Sequence, residues 1–211
     1  MNSPLRRIVL VRHGETDGKS SQRLIGSGDP NLSAEGREQL QRTRSALAGQ
    51  VVDLVVASPA RRAFQSAAVL TGGATVRLEP DFREIHFGRW EGRSVAEIES
   101  GDPVLYQQWR DPDSGFEYPG GELREAFRAR VRRGLERTRA SGANGALVVA
   151  HRGVIREIVL ALTGERPAHE VPALGEAIVL TRDGDRWITG VRSSNPPGLP
   201  TAAPVEVSAD A

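Results

Sequence analysis

The sequence predicts an α/β fold: a three-layer α/β/α sandwich with a mostly parallel central sheet and a short lid insertion. Three observations carry that expectation. Short branched apolar runs recur in "RRIVLV" (6–11), "DLVVAS" (53–58) and "GALVVAH" (145–151), the mark of strands buried on both faces. Each run is followed by a segment with helical spacing. Strand then helix, three times over, builds parallel crossovers.

The elements follow in order. The first apolar run ends abruptly in Arg12, His13, Gly14, Glu15 and Thr16. Ser33 can cap a helix with Gly36, Leu40, Thr43 and Leu47 on one stripe. After the second strand, Ala60, Ala63, Phe64, Ala67 and Thr71 form the next stripe. Residues 80–121 are rich in Pro, Gly, Asp and aromatics, with short helices expected near 94–100 and 103–110. A longer helix, about 122–140, carries Leu123, Ala126, Phe127, Val131 and Leu135 on one side. "VIREIVLALTG" (154–164) is apolar nearly all round and should be deeply packed, with Gly164 as its stop. "AIVLTRDGDRWITGV" reads as a hairpin turning at Asp183-Gly184. Beyond Ser194 the chain is Pro/Ala-rich without periodicity, a disordered tail over 195–211. Residues 1–194 then form one domain, with the lid insertion at about 93–121.

Composition narrows the function. Lys plus Arg is 28 against Asp plus Glu at 27, so net charge gives no global attraction to nucleic acid or anionic lipid. Any anion binding must come from local placement. The chain has no cysteine, which excludes disulfides and thiolate metal sites. The opening apolar run is too short for a secretory signal or a membrane span, so a cytoplasmic protein is expected.

In an open α/β sheet, ligands sit beyond the carboxyl ends of the strands. The first strand ends in Arg12-His13-Gly14. The second ends in Ser58-Pro59, with Arg61 and Arg62 on the first helical turn. The third ends in His151-Arg152-Gly153, with Arg156 one turn on. If these strands are neighbours, two of the four histidines and several arginines converge on one anion-sized pocket. Arginine offers a planar fork matched to phosphate oxygens, and helix N-termini add oriented N–H groups. An imidazole there can attack phosphorus or shuttle a proton, and Gly14 lets the backbone pass close to a ligand.

Six ordered blocks between about residues 7 and 165 resemble the histidine phosphatase superfamily, also called phosphoglycerate mutase-like. They are "LVRHGET", "RLIGSGDPNLSAEG", "SPARRAFQSA", "REIHFGRWEG", "YPGGE" and "VAHRGVIR". The resemblance implies a double-displacement phosphoryl transfer. In it His13 is the nucleophile, Arg12 and Arg62 clamp the phosphoryl oxygens, and His151 stabilises the group in flight. Glu84 is the acid and then the base, and Thr16 is a lesser phosphoryl contact. No metal and no other cofactor is implied. Periodicity cannot choose between Arg61 and Arg62; the motif chooses Arg62.

Three positions need separate reading. The family's Trp-Asn after its threonine is here Gly18-Lys19, so Lys19 either replaces the asparagine as a cationic contact or turns to solvent. The usual glycine after the second histidine is Arg152, whose backbone N–H can still serve the phosphate, while its side chain narrows the pocket, binds a second anionic group or points outward. His86 falls at a variable position and suits a surface role. "EIHFGRWEG" and the short insertion resemble the phosphatases of the family rather than its mutases, the alternative reading. Tyr106, Trp109, Phe116 and Tyr118 are the candidate specificity wall, or a lid packing on itself. Seven arginines on the helix at 122–140 leave a polyanion-binding or phosphoprotein-binding module as a third class. The expected partner is a small phosphorylated metabolite: a sugar phosphate, a phosphoglycerate derivative, a nucleotide or a ribazole phosphate. Neither nucleic acid nor a membrane is expected, and the oligomeric state is not legible.

Overall fold

The computed structural model describes residues 5–111, 113–165 and 172–193. The expected disordered tail lies outside these residues. Six strands form one sheet: β1 (Arg7–Arg12), β2 (Leu54–Ala57), β3 (Arg77–Leu78), β4 (Gly145–Ala150), β5 (Ala177–Asp183) and β6 (Arg186–Ser193). Their order is β3-β2-β4-β1-β5-β6. The first four run parallel; β5 is antiparallel to β1, and β6 to β5. The last two strands form the expected hairpin, with Gly184 at φ 56° in the turn.

Alternation along β1 explains the layers. Ile8 and Leu10 face one side, where Phe127, Val131 and Leu135 of α5 (Arg124–Arg139) and Val154, Ile155 and Ile158 of α6 (Arg152–Thr163) cover them. Val9 and Val11 face the other, against Leu40 of α1 (Ala34–Ala46) and Ala63, Ala67 and Leu70 of α2 (Arg61–Thr71). A strand covered on both faces cannot spare a polar residue, which is why β1 reads as continuous Ile-Val-Leu-Val. Ser33 caps α1 by accepting from Gly36 N, and Gly164 ends α6 at φ 75°.

Three helix positions differ from the amphipathic reading. Phe64 is 45% exposed, because the buried face of α2 is Arg62, Ala63, Ser66, Ala67 and Leu70, and Phe64 lies on its flank. Leu123 is the N-cap of α5 and 62% exposed, and Ala126 is also exposed.

The insertion carries α3 (Val95–Gly101), with a full Ser94–Glu97 capping box, and α4 (Pro103–Arg110). Trp90, Ile98, Tyr106, Trp109 and Phe116 form a hydrophobic cluster of their own there. Phe87 and Tyr118 border both this cluster and the core beneath α5 and α6.

Candidate active site

Strands β2, β4 and β1 are neighbours, and the register levels their carboxyl ends: Ala57 pairs with Val149, and Ala150 with Arg12. The ladder continues one residue further, with Ser58 N donating to Val149 O and His13 N to Ala150 O, each at 3.0 Å. His13, Ser58 and His151 therefore emerge side by side. The two imidazoles lie 5.2 Å apart, inclined at 61°.

A hydrogen bond fixes the tautomer of His13. His13 Nδ1 is 2.8 Å from the carbonyl of Gly14, which can only accept, so Nδ1 carries the proton and Nε2 keeps its lone pair. Ser58 Oγ accepts from Ala60 N and lies 2.8 Å from His151 Nε2, where a hydroxyl can donate or accept. His151 Nδ1 has no partner among the described residues. Burial, and then the charges of Arg62 and Arg12, hold the pKa of His13 well below the usual histidine range. Burial and Arg62 do the same for His151.

Six buried side-chain polar atoms have no hydrogen-bond partner among the described residues. Four belong to this strand end: Arg12 Nε, Thr16 Oγ1, Arg62 Nε and His151 Nδ1. An unpaired buried polar group costs about 1–3 kcal/mol, so four at one strand end mark a site shaped for a ligand's acceptor oxygens. Arg62 is fully buried, and its other nitrogens are committed. Nη1 donates to Gly28 O at 2.7 Å, and Nη2 to Ile25 O and Gly26 O at 3.0 and 3.1 Å. The Arg62 guanidinium is thus held in place by the 25–28 loop. Burial, and then the charge of Arg152, lower the pKa of Arg12 to about 10.

Glu84 follows a short 3-10 turn, Pro80–Phe82. Its Oε1 accepts from Ile85 N at 3.1 Å and its Oε2 from Gly153 N at 3.0 Å. Burial raises its pKa against those two donors and the charges of Arg62 and Arg12. Arg130 holds the backbone of this segment. It donates to Asp81 O at 2.8 Å, Arg83 O at 2.6 Å and Glu84 O at 3.0 Å, and forks onto Glu122 at 2.7 and 2.8 Å. Arg130→Met leaves three carbonyls and one carboxylate unpaired. It should lower unfolding free energy by about 3 kcal/mol in urea titration, and lower kcat more than it raises KM.

The chain matches the profile of the histidine phosphatase superfamily (branch 1) over residues 8–189. It belongs to the histidine phosphatase superfamily. A glucosyl-3-phosphoglycerate phosphatase of Mycolicibacterium vanbaalenii is 34% identical over 181 residues, 81% of this chain and 80% of the relative. Phosphoserine phosphatase 1 of Hydrogenobacter thermophilus is 29% identical over 75% of this chain and 76% of its own length. Among solved structures, a putative α-ribazole-5'-phosphate phosphatase from Escherichia coli superposes with a TM-score of 0.78 at 28% identity, covering 93% of this chain and all of that one. The native mycobacterial glucosyl-3-phosphoglycerate phosphatase gives 0.76 at 31% identity, over 88% and 97%. These relatives are phosphatases, and the chain is a phosphomonoesterase of the same superfamily.

The remaining residues of this histidine phosphatase take varied places. Gly14 also serves packing: a Cβ there would sit 2.6 Å from Gly36 O, at the start of α1. Ser66, absent from the sequence reading, accepts from Gly14 N at 3.2 Å and donates to Arg62 O, tying the loop after His13 to the first turn of α2. Glu15 accepts from Thr16 N, Ser20 Oγ and Ser21 N and so closes the following loop. Lys19 is exposed in that loop at φ 58°. Arg61 is exposed and pairs with Asp29 at 3.5 Å, and exposed His86 accepts from Gly88 N. Tyr106 and Trp109 are buried in the lid's own cluster, so these two rings pack on neighbours rather than forming a wall open to a ligand. Tyr118 differs. It hydrogen-bonds the Trp109 side chain, and its pKa is pushed up to about 12, chiefly by burial, with the charge of Glu84 adding. On α5, Arg128, Arg130, Arg133, Arg137 and Arg139 pair with carboxylates.

Proposed function

We propose that this protein hydrolyses the monoester of a small phosphorylated metabolite in two displacements through phosphohistidine at His13. The observation that carries the reading is the free lone pair of His13 Nε2, on a neutral ring, beside four unpaired polar atoms. In the first step Nε2 attacks phosphorus, the bond to the leaving oxygen breaks, and Glu84 gives that oxygen its proton. In the second, the Glu84 carboxylate takes a proton from water, water oxygen bonds to phosphorus, and the phosphorus–nitrogen bond breaks. Arg12, Arg62 Nε, Thr16 Oγ1 and His151 stabilise charge on the oxygens in flight.

The arginines supply the positive charge that a metal supplies elsewhere. Among the described residues no group of three or more His, Cys, Asp or Glu side chains is placed to hold one. The relatives' names suggest a phosphorylated sugar acid, amino acid or nucleoside as the substrate class. A cytoplasmic location belongs to the same reading; among the described residues no helix is long and apolar enough to cross a membrane.

The test is a rapid quench of the enzyme with phosphoryl-labelled substrate in EDTA. An acid-labile, base-stable label on His13 is the expected result. Label on a serine, or turnover that vanishes in EDTA and returns with magnesium, would overturn the mechanism.

A further inference from the structure

We propose that Arg152 is a specificity-determining residue, and that its guanidinium holds a second anionic group carried by the leaving part of the substrate beside the ester oxygen. The inference rests on the phosphohistidine reading and deepens it.

Position is the first argument. Arg152 opens α6 between two residues of the site. His151, before it, has its ring 5.2 Å from that of His13. Gly153, after it, donates its N–H to Glu84 Oε2 at 3.0 Å. Glu84 is the group that meets the leaving oxygen, so the first turn of α6 borders the leaving-group side of the pocket. The helix N-terminus adds its own positive end there.

The state of the side chain is the second. Arg152 is half-buried, yet among the described residues it has no hydrogen-bond or ion-pair partner. The arginines of neighbouring α5 show the contrast, since Arg128, Arg130 and Arg137 each meet a carboxylate. Instead, Arg152 is the strongest charge acting on Arg12, ahead of Glu84, Glu15 and Arg62. Two guanidiniums close together repel unless an anion lies between or beside them.

The transferred phosphoryl group does not require this extra cation. Arg12, Arg62, Thr16 and His151 already offer donors for its oxygens. Arg152 is additional to that set, and its backbone lies between His151 and the residue whose N–H meets the acid. A substrate whose leaving part is itself anionic, through a carboxylate or a further phosphate, makes use of it. A substrate with a neutral leaving part does not.

The experiment compares kcat/KM on matched pairs: 3-phosphoglycerate against glycerol 3-phosphate for a carboxylate, and fructose 1,6-bisphosphate against fructose 1-phosphate for a second phosphate. The wild type is measured beside Arg152→Gly and Arg152→Gln. Turnover of p-nitrophenyl phosphate and thermal melting show that each variant is folded and able to form phosphohistidine. The preference for the anionic member of at least one pair should fall on the order of ten-fold to a hundred-fold in both variants, the size of a charge-assisted contact. An equal proportional loss on both members would make Arg152 a clamp on the transferred group and overturn the proposal. An unchanged ratio without loss would place the side chain in solvent and overturn it too. A wild type that turns over no phosphomonoester and forms no phosphoenzyme would instead overturn the phosphatase reading, and this inference with it.

Discussion

His13→Ala should lower turnover by about four orders of magnitude or more, and the phosphoryl label should disappear with it. No neighbouring group can take over. The second imidazole has its Nε2 engaged by Ser58, so that nitrogen is not free to attack phosphorus. Ser58 Oγ is itself held between that ring and Ala60 N. The scaffold should survive, because among the described residues the imidazole makes one hydrogen bond, to Gly14 O. A melting temperature close to the wild type's, with no label after rapid quench, is the expected pair of results. A variant that still accumulates a phosphoenzyme would refute the assignment.

Glu84→Gln should lower kcat on an alkyl phosphate by about a hundred-fold to ten-thousand-fold, and much less on an aryl phosphate whose leaving group needs no proton. The pH profile supplies a second, independent readout. Glu84 must start protonated, and burial raises its pKa, so the acid form persists to higher pH than in an ordinary carboxyl group. As pH rises through that pKa, kcat/KM falls. His13 must start neutral, and burial with the two arginines lowers its pKa, so the nucleophile survives into acid. As pH drops through that lower pKa, kcat/KM falls again. The wild type should therefore show a bell, its acid limb below the ordinary histidine range and its alkaline limb above the ordinary carboxylate range. In Glu84→Gln the alkaline limb should vanish while the acid limb stays. An alkaline limb unchanged by the substitution would assign the proton to another group.

Much of this was legible before any coordinates, for definite physical reasons. Strands covered on both faces announce themselves as branched apolar runs, and the residue types at their ends announce an anion site. Asp183-Gly184 gave away the hairpin because few residues tolerate its backbone. What stayed hidden depends on distance through space. A two-residue edge strand such as β3 has no periodicity to read. The bonds of Arg62 to the 25–28 loop, of Ser66 to Gly14 and of Arg130 to the Glu84 segment join residues 34 to 52 positions apart. A run of arginines on α5 looked like one basic face in sequence, whereas the fold supplies carboxylates from the 79–81 turn, from Glu122 and from α6. Phe64 misled because a short stripe drawn through small residues is easily rotated by one position.

The lid's separate cluster bears on how such an enzyme changes over generations. Trp90, Ile98, Tyr106, Trp109 and Phe116 pack among themselves, while the sheet packs beneath α5 and α6. Among the described residues only Phe87 and Tyr118 border both. Substitutions on the outer surface of α3 and α4 can therefore accumulate without disturbing the strand ends that carry the chemistry. The insertion and the sheet are then inherited as nearly independent packing units, joined among the described residues at Phe87 and Tyr118. Sequence drift on the outside of the lid leaves the geometry of the strand ends as it was.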